Sequence, residues 1–190
     1  CGENDLPKHM EEKDLTTSVE EEEIDECEER FLELDTFPKV NYKSIKIEDY
    51  AQFLEIKEKF GYTKDNKWAN KAFITINRRE FKYIKVGDSV VVPDTITPDM
   101  RAYSVYPPYY CDAKNIPKLI VVSNKYQCYA AYENGILVRF AAANTGKERT
   151  PTYPGRYALV WKDLKRRSSL DSNWVLPYTW NFHRYAGNAF

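Results

Sequence analysis

Four cysteines and two histidines are the residues of this 190-residue chain best suited to chemistry: Cys1, Cys27, Cys111, Cys128, His9 and His183. Their spacing excludes a metal centre. No two cysteines form a C-x-x-C pair and neither histidine adjoins a cysteine cluster, whereas a zinc site gathers several ligands close together. Nucleophilic catalysis needs a thiolate, and a free thiol ionises only at about pH 8.5 unless a neighbouring base or cation lowers it. Cys27 sits among carboxylates, which push a thiol's pKa up. Cys111 lies in a proline-rich stretch and Cys128 on an alternating apolar run, where it is either packed inside or bridged to Cys111. His183, in Asn181-Phe182-His183-Arg184, reads as a structural or surface residue rather than a base. The chain asks for no metal and no cofactor.

Charge divides the sequence sharply. Residues 1–35 hold 15 Asp/Glu against 3 Lys/Arg, a net of −12, and residues 36–190 hold 14 against 25, a net of +11. An acidic arm therefore precedes a basic body, an asymmetry that speaks of partners and solubility rather than fold. Anionic lipid or an anionic cell-wall polymer fits the body's charge. Nucleic acid is not expected, because no recognition motif and no basic-aromatic strand of the RNA-binding kind is present. No run of about 18 apolar residues exists to span a membrane.

The elements that must position any site follow in order. Glu20–Glu23 repels itself and predicts a solvated arm, with a short apolar stripe at Ile24, Cys27, Phe31 and Leu34. Asp49 is a helix N-cap; Tyr50, Phe53, Leu54, Ile56 and Phe60 make the apolar face, and Gly61 the stop. Trp68–Ile76 is a second helix or helical turn. Gly87-Asp88 turns into an apolar strand closed by Pro93. Pro98–Pro117 is a Tyr/Pro-rich connector, extended rather than helical. Lys118–Ser123 is a strand, Tyr126–Tyr132 alternates, Glu133-Asn134-Gly135 is a hairpin turn, and Ile136–Ala141 returns. After Thr150-Pro151 and Pro154-Gly155 comes an alternating strand Arg156–Trp161, then a basic loop, then Trp174–Tyr178. The fold class is α+β.

Three resemblances follow from these residues. Gly87-Asp88-Ser89-Val90-Val91-Val92-Pro93 resembles the end of a LysM module, a strand–helix–helix–strand unit that binds N-acetylglucosamine polymers, although its first strand is not evident in the sequence. A chain beginning Cys-Gly before a polar acidic stretch is similar to a mature bacterial lipoprotein, which implies lipid on Cys1, a membrane partner, and a place in the bacterial cell envelope on the periplasmic or outer-membrane side. Residues 117–190 resemble the first part of an L,D-transpeptidase (YkuD-like) domain. They carry Thr150-Pro151, Pro154-Gly155 before a strand, Leu176-Pro177-Tyr178, and Gly187-Asn188-Ala189-Phe190 in that family's order.

The last resemblance implies a cysteine acyl-enzyme acting on peptidoglycan stem peptides, with the family's catalytic His and Cys expected beyond Phe190. It places Tyr178 beside the substrate, with Trp180, Tyr185 and Phe190 on the same wall, Trp180 fitting core packing equally well. The expected organisation is an arm at 1–46, a small helical LysM-like unit at 47–97, the connector at 98–117 and the transpeptidase-like part at 118–190. A non-catalytic, lipid-anchored peptidoglycan-binding module is the alternative.

Overall fold

The computed structural model describes Cys27, Glu29, Arg30, Leu34, residues 37–168 and residues 171–182. Its architecture is α+β, with helices at Tyr50–Phe60 and Lys67–Asn77 and three small antiparallel sheets among those residues. No helix among them is long and apolar enough to cross a membrane.

The opening strand that the sequence hides is β1, Tyr42–Lys46. It pairs antiparallel with β2, Ser89–Pro93, so that Lys46 lies opposite Ser89 and Tyr42 opposite Pro93. Between them run α1, Tyr50–Phe60, and α2, Lys67–Asn77. The result is a strand–helix–helix–strand unit.

Local chemistry sets the helix ends. The Asp49 carboxylate accepts the Gln52 N–H at 2.8 Å, while the Gln52 side chain accepts the Glu48 N–H at 2.8 Å. Free donors at the helix start are thus satisfied from both directions. Of the expected apolar face on α1, Ile56 and Phe60 are buried, whereas Tyr50 and Leu54 face solvent.

Helix α2 is apolar on two sides. Ala69 and Phe73 join Ile47, Ile56, Phe60, Ile84, Val90 and Val92 in one core, while Ala72 and Ile76 belong to a second core with Met100, Tyr103, Leu137 and Phe140. A helix wrapped this way serves as a shared wall rather than a surface element. Its last residue works as a clamp. Asn77 Nδ2 donates to the carbonyls of Phe73 (3.0 Å) and Val91 (2.7 Å), and its Oδ1 accepts the Val91 N–H (2.8 Å). The side of β2 away from β1 is thereby satisfied. Asn77→Leu should cost about 2–3 kcal/mol, because it strips partners from both polar groups of Val91; a urea midpoint unchanged by the substitution would refute the clamp.

The second core is roofed by β3 (Leu119–Ser123), β4 (Cys128–Glu133) and β5 (Ile136–Ala142), in the order β3-β4-β5 and wholly antiparallel. Cys128, Ala130 and Tyr132 alternate inward along β4. The β4–β5 turn is Asn134-Gly135, with φ of 48° and 81°, as a two-residue hairpin requires. Gly135 is needed twice over, since an added Cβ would lie 2.8 Å from the Tyr109 ring and 2.9 Å from the Tyr110 carbonyl. The connector packs there: the Tyr110 N–H donates to the Gly135 carbonyl at 2.7 Å. Tyr103 is buried and Tyr106 half-buried, so part of the Tyr/Pro stretch wraps the sheet.

The cysteine pairing differs from a Cys111–Cys128 bridge. Cys111 is bonded to Cys27, with Cα atoms 5.8 Å apart, and Cys128 is a free thiol. The alternation of β4 turns Cys128 into the core beside Tyr103 and Tyr106 of the connector, while Cys111, further along the connector, meets Cys27.

A long hairpin completes the described chain: β6, Trp161–Arg167, pairs with β7, Val175–Asn181. This corrects the strand expected at Arg156–Trp161. The Tyr157 hydroxyl donates back to the carbonyls of Tyr153 and Pro154, both at 3.3 Å, which folds residues 153–157 onto themselves. The ladder starts only where β7 offers partners, and it runs through Lys162–Arg167, the stretch whose charges read as a loop. Both outer edges are guarded: β6 by its cations, β7 by Pro177 and by Tyr178, whose φ of 53° coincides with a gap in the ladder opposite Leu164. Such features discourage addition of a further strand.

Two phenols, Tyr132 buried and Tyr106 half-buried, carry a pH dependence. Burial pushes Tyr132 and Tyr106 from 10.0 up to about 12, helped at Tyr106 by the Cys128 thiol beside it. Between about pH 10 and 12 the unfolded chain sheds protons that the folded chain keeps, so stability falls as pH rises through that window and is unaffected below it. Alkaline denaturation followed by near-UV circular dichroism should show that loss, and Tyr132→Phe should shrink it. A denaturation midpoint constant from pH 9.5 to 11.5 would contradict the assignment.

Candidate functional site

The antiparallel pairing of β1 with β2 brings the β1–α1 and α2–β2 loops to one end of the unit. They are stitched together: the Ile47 N–H donates to the Asp88 carbonyl at 2.9 Å and the Gly87 N–H to the Ile47 carbonyl at 2.7 Å. Gly87 holds a φ of 95°, which a side chain would resist. Asp88 fixes the turn by accepting the Lys85 N–H at 3.1 Å and pairing with Arg79 at 3.4 Å. Underneath, Phe81 stacks on Phe73 with ring centres 4.4 Å apart.

Two aromatic rings stand out from this platform, Tyr50 (65% exposed) and Tyr83 (61% exposed). The Lys82 ammonium lies 4.9 Å from the Tyr83 ring and 2.8 Å from Glu80. Flat rings beside backbone amides and mixed charges suit a ligand with apolar faces and many hydroxyls, the chemistry of a sugar polymer. Sequence reasoning missed both residues. Tyr50 was absorbed into the apolar face of α1, and Tyr83 carries no motif; the signal was their flanking of the N-cap and of Gly87-Asp88.

Of the residues assigned to a substrate wall, Tyr178 and Trp180 lie on β7 and are exposed, while Tyr185 and Phe190 lie outside the described residues, as do Cys1, His9 and His183. Trp180 is not a core residue: it sits opposite Lys162, whose ammonium is 5.3 Å from its ring. Thr150 and Gly155 fall in the irregular run before β6.

Among the described residues there is no histidine, Cys27 and Cys111 are spent in a disulfide, and Cys128 is fully buried. No thiol–imidazole pair is assembled there, and no group of three or more His, Cys, Asp or Glu side chains is gathered as for a metal ion.

No protein-family model matches the chain, and no curated protein matches it. Among solved structures it is similar to a fused Zn-dependent amidase/peptidase/peptidoglycan-binding domain-containing protein from Clostridium acetobutylicum, with 17% identity and a TM-score of 0.32 over 75% of this chain and 78% of that one. A likeness at that score carries no weight for fold or activity.

Proposed function

We propose that this chain belongs to a cell-envelope protein that holds peptidoglycan glycan strands at the loop end of its strand–helix–helix–strand unit. The observation that carries this reading is the closure of β1 on β2, which brings the start of α1, with Tyr50, and the α2–β2 loop, with Tyr83, to the same end of the unit. Sugar rings present C–H faces that stack on such phenols, while the hydroxyl groups find loop amides and charged side chains. The Cys27–Cys111 bond suits an oxidising compartment, in keeping with export and with a lipid on Cys1.

The finer part of the proposal is an L,D-transpeptidase-type activity on stem peptides. A cysteine thiolate, activated by a histidine, would attack the stem carbonyl, with both residues supplied from beyond Phe190 and Tyr178 and Trp180 flanking the peptide. A second reading, a non-catalytic, lipid-anchored peptidoglycan-binding protein, rests on the Tyr50 and Tyr83 end of the unit alone and calls for no reacting group.

Two experiments test these readings. The chain should pellet with purified peptidoglycan sacculi and bind N-acetylglucosamine oligomers. Tyr83→Ala and Tyr50→Ala should each weaken binding roughly tenfold, the loss of one stacked ring. Failure of the unaltered chain to pellet would end the glycan reading. For catalysis, the coding DNA past the Phe190 codon decides: a His followed by a Ser-His-x-Cys-x-Arg type motif supports the enzyme, and a stop codon removes it.

A further inference from the structure

The β6–β7 hairpin carries a second candidate surface, separate from the glycan loops; it assigns Tyr178 and Trp180 a role in place of the stem-peptide one, and the two assignments exclude each other. Leu164 is 76% exposed, Tyr178 71% and Trp174 61%, and Trp161, Leu176 and Trp180 are exposed beside them. By the strand register Leu164, Leu176 and Trp180 share one face of the hairpin with Lys162 and Arg166, and exposed apolar side chains gathered on one face mark a contact surface.

The same strands are cationic. Lys162, Lys165, Arg166 and Arg167 occupy four of the seven positions of β6, and the ion pairs among the described residues lie elsewhere, at Arg79, Lys82 and Arg101. Three of the four rest on neutral groups instead. Lys162 lies 5.3 Å from the Trp180 ring, Arg166 4.5 Å from the Trp161 ring, and Arg167 Nη1 donates to the Ser172 carbonyl at 2.6 Å. The hairpin's two carboxylates are both turned to backbone: Asp163 accepts the Lys165 N–H at 3.1 Å, and Asp171 accepts the Asn173 N–H at 2.9 Å. Among the described residues no carboxylate pairs with these four cations.

We infer that this hairpin docks on an anionic lipid surface, its Trp, Tyr and Leu side chains entering the interfacial layer and its Lys and Arg side chains meeting lipid phosphates. Trp and Tyr with flanking cations are the residues that settle at a membrane–water boundary. The other occupants fit less well. A second copy would set like charge against like charge. An added strand meets guarded edges. A sugar or nucleic-acid polymer would meet the cations and rings but leave Leu164, Val175 and Leu176 against water.

The test is cosedimentation of the full chain with vesicles of equimolar phosphatidylglycerol and phosphatidylcholine, and with pure phosphatidylcholine. Binding is expected to the anionic vesicles, to fall with added salt, and to bring blue-shifted tryptophan emission that brominated lipid quenches. Replacing Lys162, Lys165, Arg166 and Arg167 together by Gln should weaken it roughly a thousandfold. Leu164→Ser/Leu176→Ser should reduce the quenching while leaving salt dependence in place. Circular dichroism and sacculus pelleting of each variant separate loss of the surface from loss of the fold. The proposal is overturned if the unaltered chain ignores anionic vesicles, or if the Gln variant binds them equally well. It is also overturned if light scattering finds a dimer that the same substitutions break, or if soluble polygalacturonate or single-stranded DNA binds the hairpin in preference to vesicles.

Discussion

Phe73→Ala should lower the unfolding free energy by about 3–5 kcal/mol, the usual cost of removing a large ring from a packed interior. Phe73 is fully buried, with ring centres 4.4 Å from Phe81 and 5.5 Å from Phe60. It joins α1, α2 and the loop that carries Tyr83. The urea midpoint should fall at constant slope, and affinity for N-acetylglucosamine oligomers should fall with it, since Phe81 loses its support. Phe73→Leu keeps much of the volume and should cost less than half as much. A loss below 1 kcal/mol for the alanine variant would mean that the two cores are far looser than their packing implies.

The second large effect concerns the disulfide. Cys27 and Cys111 are 84 residues apart in sequence, and cross-linking a loop of that length removes conformational freedom from the unfolded chain worth about 4 kcal/mol. Cys27→Ser or Cys111→Ser should therefore shift chemical denaturation by that order, and so should a reductant added to the unaltered protein. Reductant should have no further effect on either variant. Equal stability with and without reductant would show that the bond holds nothing in place.

Local chemistry was legible where a residue type answers a backbone need. Asp49 before the first helical turn, Asn134-Gly135 between alternating runs, and Gly87-Asp88 before Val90–Val92 each named its structure. What needed a distant partner was not legible. Tyr42–Lys46 has no clean apolar alternation, only a half-buried Ile45; it is a strand because β2 offers it an edge. Lys162–Arg167 looked like a loop because charge disfavours burial, and its strand is not buried at all. The Cys27 partnership spans most of the chain, beyond anything spacing can reveal.

The candidate site divides in the same way. The end of the strand–helix–helix–strand unit announced itself, but the rings that would touch a sugar did not, because an exposed tyrosine in a helical pattern looks like any other apolar position. Tyr178 and Trp180 came from resemblance, and the structure adds that both are solvent-facing and that Tyr178 has left-handed backbone geometry. Non-glycine residues held in that geometry carry a small strain that concentrates at functional places.

Because α2 lines two cores at once, the half of the chain that carries Tyr50 and Tyr83 cannot swivel against the half that carries β3, β4 and β5. Whatever is gripped at the loops and whatever meets the sheet are held at one separation and one angle. A glycan-binding unit on a flexible tether raises local concentration and leaves the point of action to chance. Here the fold fixes that distance, and on the function proposed above a regular polymer held at the loops would meet the sheet at one set repeat.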